Sequence, residues 1–161
     1  MNADPDVMEF FPTILTEEQT KEMVNRITAG FTTRGWGIYA IEKKIDGQFI
    51  GFCGFAIPAF ESYFTPCIEI GWRLRKEDWG NGYGREAALA CLDYGFSILD
   101  FEKIVSFTST LNIRSQDLMK RIGMEKIGEF DHPKIDTAHR LCRHVLYEIK
   151  RPASYGKPAG A

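Results

Sequence analysis

The order of patterned segments predicts a mixed α/β sheet with helices packed on its faces. Three observations carry this expectation. Two alternating apolar runs sit early in the chain, joined by Asp46-Gly47. A strand, a glycine-rich loop, a helix and another strand follow in the middle. Two short apolar runs close the sequence. In order, Thr16 with Gln19 three residues on is a capping box. It opens a helix over 17–33, with Met23, Val24, Ile27 and Phe31 on one stripe, and Gly35 ends it. Residues 36–44 and 48–58 read as strands, and the Asp-Gly between them is a hairpin turn. Residues 67–75 form a third strand. A helix over 83–99 carries Ala88, Cys91, Leu92, Gly95, Phe96 and Leu99 at helical spacing. A strand over 103–109 follows, then a short helix over 114–122 stopped by Gly123. Strands over 124–130 and 143–150 complete one domain, 1–150. The strand–helix–strand passage demands a parallel pair, and the hairpins demand antiparallel ones. Residues 151–161, rich in Pro, Gly and Ala, read as a disordered tail.

Charge and composition remove several function classes. The chain has 161 residues, with 22 acidic against 20 basic and a net charge of −2. That balance gives no footprint for nucleic acid or an anionic membrane. No apolar run approaches the roughly 20 residues that span a bilayer. The acidic start MNADPDVMEFF lacks the basic n-region of a signal peptide, so a cytoplasmic location is expected. Cys53, Cys67, Cys91 and Cys142 form no C-x-x-C pair and read as reduced thiols. His132, His139 and His144 are not spaced as a metal site and read as polar loop and strand residues, so no metal is expected.

The stretch DWGNGYGREAA places Gly80, Gly82 and Gly84 at every second position, between a strand and a helix. A P-loop would need Lys-Ser or Lys-Thr after the glycines, and none follows. A dinucleotide fingerprint fails because Arg85 stands at its last glycine. What survives is a helix N-terminus whose first N–H groups lack partners, reachable through residues without Cβ. Arg73, Arg75, Lys76 and Arg85 would surround it with positive charge. A phosphate-bearing ligand at 79–85 is one reading, and a tight strand-to-helix turn is the other.

WGNGYGREA resembles the acetyl-coenzyme A loop of the GNAT N-acetyltransferases, [R/Q]-x-x-G-x-[G/A], with Trp79 in place of Arg or Gln. Tryptophan there is similar to the ribosomal-protein (RimJ/RimL-type) branch. NIRSQDLMKRIGM, 112–124, resembles the family's second block, and CIEIGWRL matches upstream, so the resemblance covers roughly residues 4–150. It implies a GNAT-type mixed, mostly antiparallel sheet with a central parallel splay and flanking helices. It also implies acetyl-CoA as cosubstrate, held by Ile70, Trp72 and Leu74 on the splayed strand. Trp79, Gly80, Asn81, Gly82, Tyr83, Gly84 and Arg85 would hold it in the loop, with Asn112, Ser115 and Met119 in the second block. Relative to the family pattern, the first strand and most of the first helix are expected to be missing.

Acetyl transfer to an amine needs a base, a polarised carbonyl and a proton for the leaving thiolate. Glu69, between Ile68 and Ile70 on the strand that the resemblance puts beside the thioester, is the candidate base. Its other reading is a polar residue on a half-exposed strand face. Cys67 shares its face, but direct transfer in a ternary complex is favoured over a cysteine acyl-enzyme, with no histidine nearby in sequence. Met119 stands where many family members have a tyrosine donor, which leaves Ser115 as donor or helix cap. Asn112 would pair with pantetheine amides or precede the helix as a loop residue. Phe60, Tyr63 and Phe64 are candidates for the acceptor pocket, near the loop 130–136. The expected partners are acetyl-CoA and an amine, either a peptide N-terminus or a small amine. A coenzyme-binding sensor or assembly module is the second reading, and homodimerisation is open.

Overall fold

A computed structural model describes residues 1–155. The chain runs α1 (Glu17–Arg34), β1 (Ile38–Glu42), β2 (Phe49–Ala56), β3 (Glu69–Leu74), α2 (Tyr83–Ser97), β4 (Lys103–Ser109), α3 (Ile113–Arg121), β5 (Glu125–Asp131) and β6 (Arg143–Lys150). The strands form one sheet in the order β1-β2-β3-β4-β6-β5. Every neighbouring pair is antiparallel except β3–β4, the parallel pair that the strand–helix–strand passage requires.

Alternation along the strands divides the core. Cys53 and Phe55 of β2, Ile70 of β3, Ile104 of β4 and Val145 and Tyr147 of β6 pack with Ala88, Leu92 and Phe96 of α2 and with Met119 of α3. Val105, Leu146 and Phe130 point to the opposite face, where Phe60, Phe64, Cys67 and Phe107 join them. The residues between β2 and β3 thus roof the second face with aromatics: Phe60 stacks on Phe130 at 6.2 Å, and Phe64 meets Phe130 edge-on at 4.8 Å.

The capping box forms as expected: Thr16 accepts from the Gln19 N–H, and Gln19 accepts from the Thr16 N–H. The α1 stripe is shallower than its spacing suggests. Val24 is 50% exposed and Gly30 is the one buried residue of the helix. The third strand starts at Glu69, not at 67, because Cys67 and Ile68 approach along the bend from Pro66 before the ladder begins. The expected tail begins in a docked segment. Arg151 donates to the Phe101 carbonyl and pairs with Asp100, and Tyr155 donates to Asp93 and packs on Phe96. Residues 156–161 of that tail lie outside the described residues.

Gly95 of α2 is where the helix presses closest to the sheet. A Cβ there would meet Phe55 at 2.8 Å and Ile104 and Phe101 at 3.2 Å, all in the packed core. Overpacking such a contact costs about 1–3 kcal/mol, more than the helix gains by losing a glycine. Gly95→Val is expected to lower the melting temperature by roughly 4–8 °C, read by thermal unfolding.

Candidate active site

The site begins where β3 and β4 part. They share a single residue pair, Glu69 with Val105, and one hydrogen bond from the Val105 N–H to the Ile68 carbonyl at 2.9 Å. By contrast β2 pairs with β3 over six residues and β6 with β4 over seven. Beyond Glu69 the strands diverge and open a cleft of about 790 Å³. That volume suits a large organic ligand. One wall holds Glu69, Gly71, Trp72, Arg73 and Leu74, and the other holds Ser106, Phe107 and Thr108. The start of α2, the start of α3 and the N-terminal segment close its ends.

Local chemistry fixes the turn into α2. Asp78, 2% exposed, receives Lys43 at 2.6 Å and Arg75 at 2.6 Å, and these cations hold its carboxyl below its ordinary range. Trp79 Nε1 donates to the Leu74 carbonyl at 3.1 Å, and the Arg114 guanidinium lies over the indole at 4.1 Å. Gly80 and Gly82 have φ of +78° and +84°, the left-handed region, and an added Cβ would meet nothing within 4 Å at either. Their glycines are therefore required by backbone conformation. Gly84, in the first turn of α2, packs against Leu118 and Leu74 at 3.4 and 3.5 Å. The first N–H groups of α2 have no carbonyl to bond within the helix, and Gly82, Tyr83, Gly84 and Arg85 line the cleft there.

The expected ring of positive charge is thinner than its sequence spacing suggests. Arg75 is held by Asp78, and Lys76 is paired with Asp6 at 2.5 Å. Arg73 points to the sheet face of Glu69, away from α2, and donates to Asn2. Arg85 lines the cleft beside the turn, and Arg121 of α3 joins it.

Glu69 lies in the cleft wall at the parting of the strands, and no side chain or backbone group hydrogen-bonds its carboxyl among the described residues. Burial raises its pKa from 4.5 to about 8. Ser115 lines the cleft, and the capping role belongs to Asn112, whose Oδ1 accepts from the Ser115 N–H at 3.2 Å. Asn112 also donates to Thr108 Oγ1 at 3.0 Å, so both ends of its amide already serve the fold. Three residues expected around the ligand sit apart from it. Met119 is 1% exposed within the core, and Ile70 is fully buried there, so the Ile70 side chain cannot line the cleft. Asn81 turns its amide back on the Trp79 carbonyl and is exposed. Cys67 lies outside the cleft, and burial followed by the nearby Glu69 raises its thiol to about 11.

Sequence spacing missed the histidines. His132 and His144 come together in the cleft wall with ring centroids 5.0 Å apart, beside Phe107 and Phe130. Burial lowers both pKa values, so both are neutral imidazoles. His144 Nδ1 donates to the Cys142 carbonyl at 3.0 Å, and His132 Nδ1 accepts from the Lys134 N–H at 3.3 Å. The pair therefore shows opposite tautomers, leaving Nε2 an acceptor on His144 and a donor on His132. Eleven residues lie between the two in sequence, across the connection from β5 to β6, so helical spacing cannot pair them. No group of three or more metal-ligating residues occurs among the described residues, and no helix there is long and apolar enough to cross a membrane.

Residues 1–125 match the Acetyltransferase (GNAT) domain family. The N-acetyltransferase YnaD of Bacillus subtilis is 32% identical over 130 residues, 80% of this chain and 71% of that protein. A GNAT-family acetyltransferase from Bacillus anthracis superimposes with a TM-score of 0.74 at 26% identity, over 93% of this chain and 84% of that one. The fold also matches spermidine N-acetyltransferase from Vibrio cholerae, solved with CoA and spermine, with a TM-score of 0.73 at 19% identity over 96% and 87%.

The two kinds of glycine in the turn behave differently on substitution. Gly82→Ala places a Cβ in left-handed backbone and is expected to lose about 1–2 kcal/mol. Gly84→Ala meets ordinary contacts at a helical position and is expected to leave stability unchanged or raise it. Thermal unfolding of the two variants beside the parent checks the contrast.

Proposed function

The chain belongs to the GNAT acetyltransferase family and is an acyl-CoA-dependent N-acetyltransferase; on that premise we propose that it transfers acetyl directly from acetyl-CoA to a primary amine, with Glu69 as base. The observation that carries this reading is the place of Glu69: an unpaired, half-buried carboxyl in the wall of the strand splay, with a proton affinity near the working pH.

The residues present suit the cosubstrate. The diverging edges of β3 and β4 offer backbone groups to pantetheine amides, as in strand addition. The start of α2 offers free N–H groups to the pyrophosphate, with Arg85 and Arg121 in reach of its charge. Acetyl-CoA supplies an activated thioester. Glu69 accepts the proton of the amine, directly or through one water, as the new N–C bond forms. The C–S bond breaks with its electron pair going to sulfur, and Ser115, at the start of α3, donates a hydrogen bond to the departing thiolate, which takes its proton from solvent on release. Cys67 takes no part: it lies outside the cleft and its thiol stays protonated. The acceptor enters on the sheet face of Glu69, toward the aromatic roof and the histidine pair. A peptide N-terminus or a small amine fits this description.

Three outcomes are expected. Saturating acetyl-CoA, at about 100 times its dissociation constant, adds about 2.7 kcal/mol and raises the melting temperature by several degrees, whereas ATP and NADH do not. Acetyl transfer rises with pH through a midpoint near 8 and levels off above it, and Glu69→Gln loses about 10²–10⁴-fold in kcat together with that limb. An unaltered profile in the variant removes Glu69 from the mechanism. Stability gives an independent sign. The fold holds the Glu69 proton more tightly than the unfolded chain between pH 4.5 and about 8, so wild-type stability falls across that window. Glu69→Gln has no proton to lose there, and its melting temperature is expected to gain on the wild type from pH 5 to pH 9.

A further inference from the structure

The cleft contains a second charged group with no counterion, on the same strand as Glu69. Arg73 follows Glu69 by four residues in β3, so both side chains lie on one sheet face with Gly71 between them. Nothing larger than a hydrogen separates them along that row. The guanidinium is sandwiched near Phe11 at 4.1 Å and Phe52 at 5.3 Å. Its Nη1 donates to Asn2 Oδ1 at 2.8 Å, a neutral partner. Nε is buried and bonds to nothing. No carboxylate lies within ion-pair distance of Arg73 among the described residues, and burial lowers its pKa to about 10.

Arg85, Arg121 and Lys134 of the cleft wall also lack an ion pair among the described residues, but they are exposed and water solvates them; apart from Glu69, the remaining charges there are paired. Asp6 is paired with Lys76, Asp78 with Lys43 and Arg75, Asp117 with Lys120, and Arg114 with Glu9. Arg73 is held inside the wall without a counterion, an arrangement that costs free energy unless an anion arrives. With Nη1 engaged by Asn2, the edge left over is Nε with Nη2. Those two N–H groups run parallel and match the two oxygens of a carboxylate. A buried orphan donor on such an edge marks a missing acceptor.

We infer that the amine acceptor carries its own carboxylate, which Arg73 holds on its Nε–Nη2 edge while the amine faces Glu69. This inference rests on the acetyl-transfer reading of the site. The Cα atoms of Glu69 and Arg73 are about 13 Å apart along an extended strand. The two side chains reach into that span, so the amine and carboxylate of the acceptor lie several bonds apart. An ω-amino acid or a short peptide with a free C-terminus has that spacing. The phosphates of the coenzyme are the other source of an anion, and the test separates the two.

The experiment uses the full chain saturated with CoA. Calorimetry measures binding of 4-aminobutyrate, 6-aminohexanoate, glycylglycine and triglycine, each beside its C-terminal amide, and acetyl transfer to each is measured in parallel. At least one free acid is expected to bind ten times or more tighter than its amide. Arg73→Met is expected to abolish that preference without changing acetyl-CoA affinity. Equal binding of acids and amides by the unaltered protein, or no binding of any acid, overturns the inference. So does an Arg73→Met defect confined to acetyl-CoA affinity, which gives the anion to the coenzyme. The acid-to-amide comparison in the unaltered protein stands even if the variant fails to fold. An acid preference without turnover defeats the acetyl-transfer reading and leaves the carboxylate site. Turnover of acids and amides alike does the reverse.

Discussion

The two antiparallel halves of the sheet meet along a single parallel rung, Glu69 opposite Val105, and the rest of the molecule is arranged around the gap that follows. A complete parallel ladder between β3 and β4 would have satisfied both strand edges and sealed the interior. Instead each strand is paired fully on its outer side, β3 by β2 and β4 by β6, and released on its inner side. The released edges lie in the middle of a sheet, where a polar backbone cannot stay unsatisfied without cost. They form a standing demand for an extended, amide-bearing ligand. The crossover helix α2 starts at the mouth of that gap, because β3 must be followed by a turn before the chain can climb back to β4.

The same burial that shapes the gap sets the chemistry of its two bare groups. Glu69 is half-buried against the sheet and its roof, and the partly desolvated carboxyl answers by holding its proton. Arg73 cannot answer in that way, because a guanidinium keeps its charge even when desolvated. One strand face thus presents an acid that is neutral at rest and a cation that remains charged. The other polar groups nearby, Asp78 above all, are neutralised at short range and serve to hold the loop.

Local signals made most of the fold legible. The capping box at Thr16, the Asp46-Gly47 hairpin and the Gly123 stop each act over three or four residues, and β4 and β6 fall where their apolar patterns end. Strand 67–75 was read too long because a ladder ends where its partner leaves, and that is a tertiary fact. In the site, Glu69, Ser115 and the glycine turn were found through short motifs. The histidine pair was not, since its two members approach only when β5 and β6 zip together. Met119 fell the other way: its place in a motif pointed to the ligand, but the turn of α3 sends it into the core. The unpartnered state of Arg73 could not be read at all, because a missing counterion is a property of three-dimensional surroundings.

The tryptophans divide in a way that matters for the bench. Trp36 packs edge-on against Phe55 and Phe101 in the core, whereas Trp72 and Trp79 stand in the cleft wall. Trp79 is further pinned, its indole N–H on the Leu74 carbonyl and its face under Arg114. Two of the three indoles of the chain therefore stand where a ligand entering the cleft changes the polarity around them, and the third, half-buried, lies outside the cleft. The intrinsic emission of the unlabelled protein is a built-in optical reporter of occupancy.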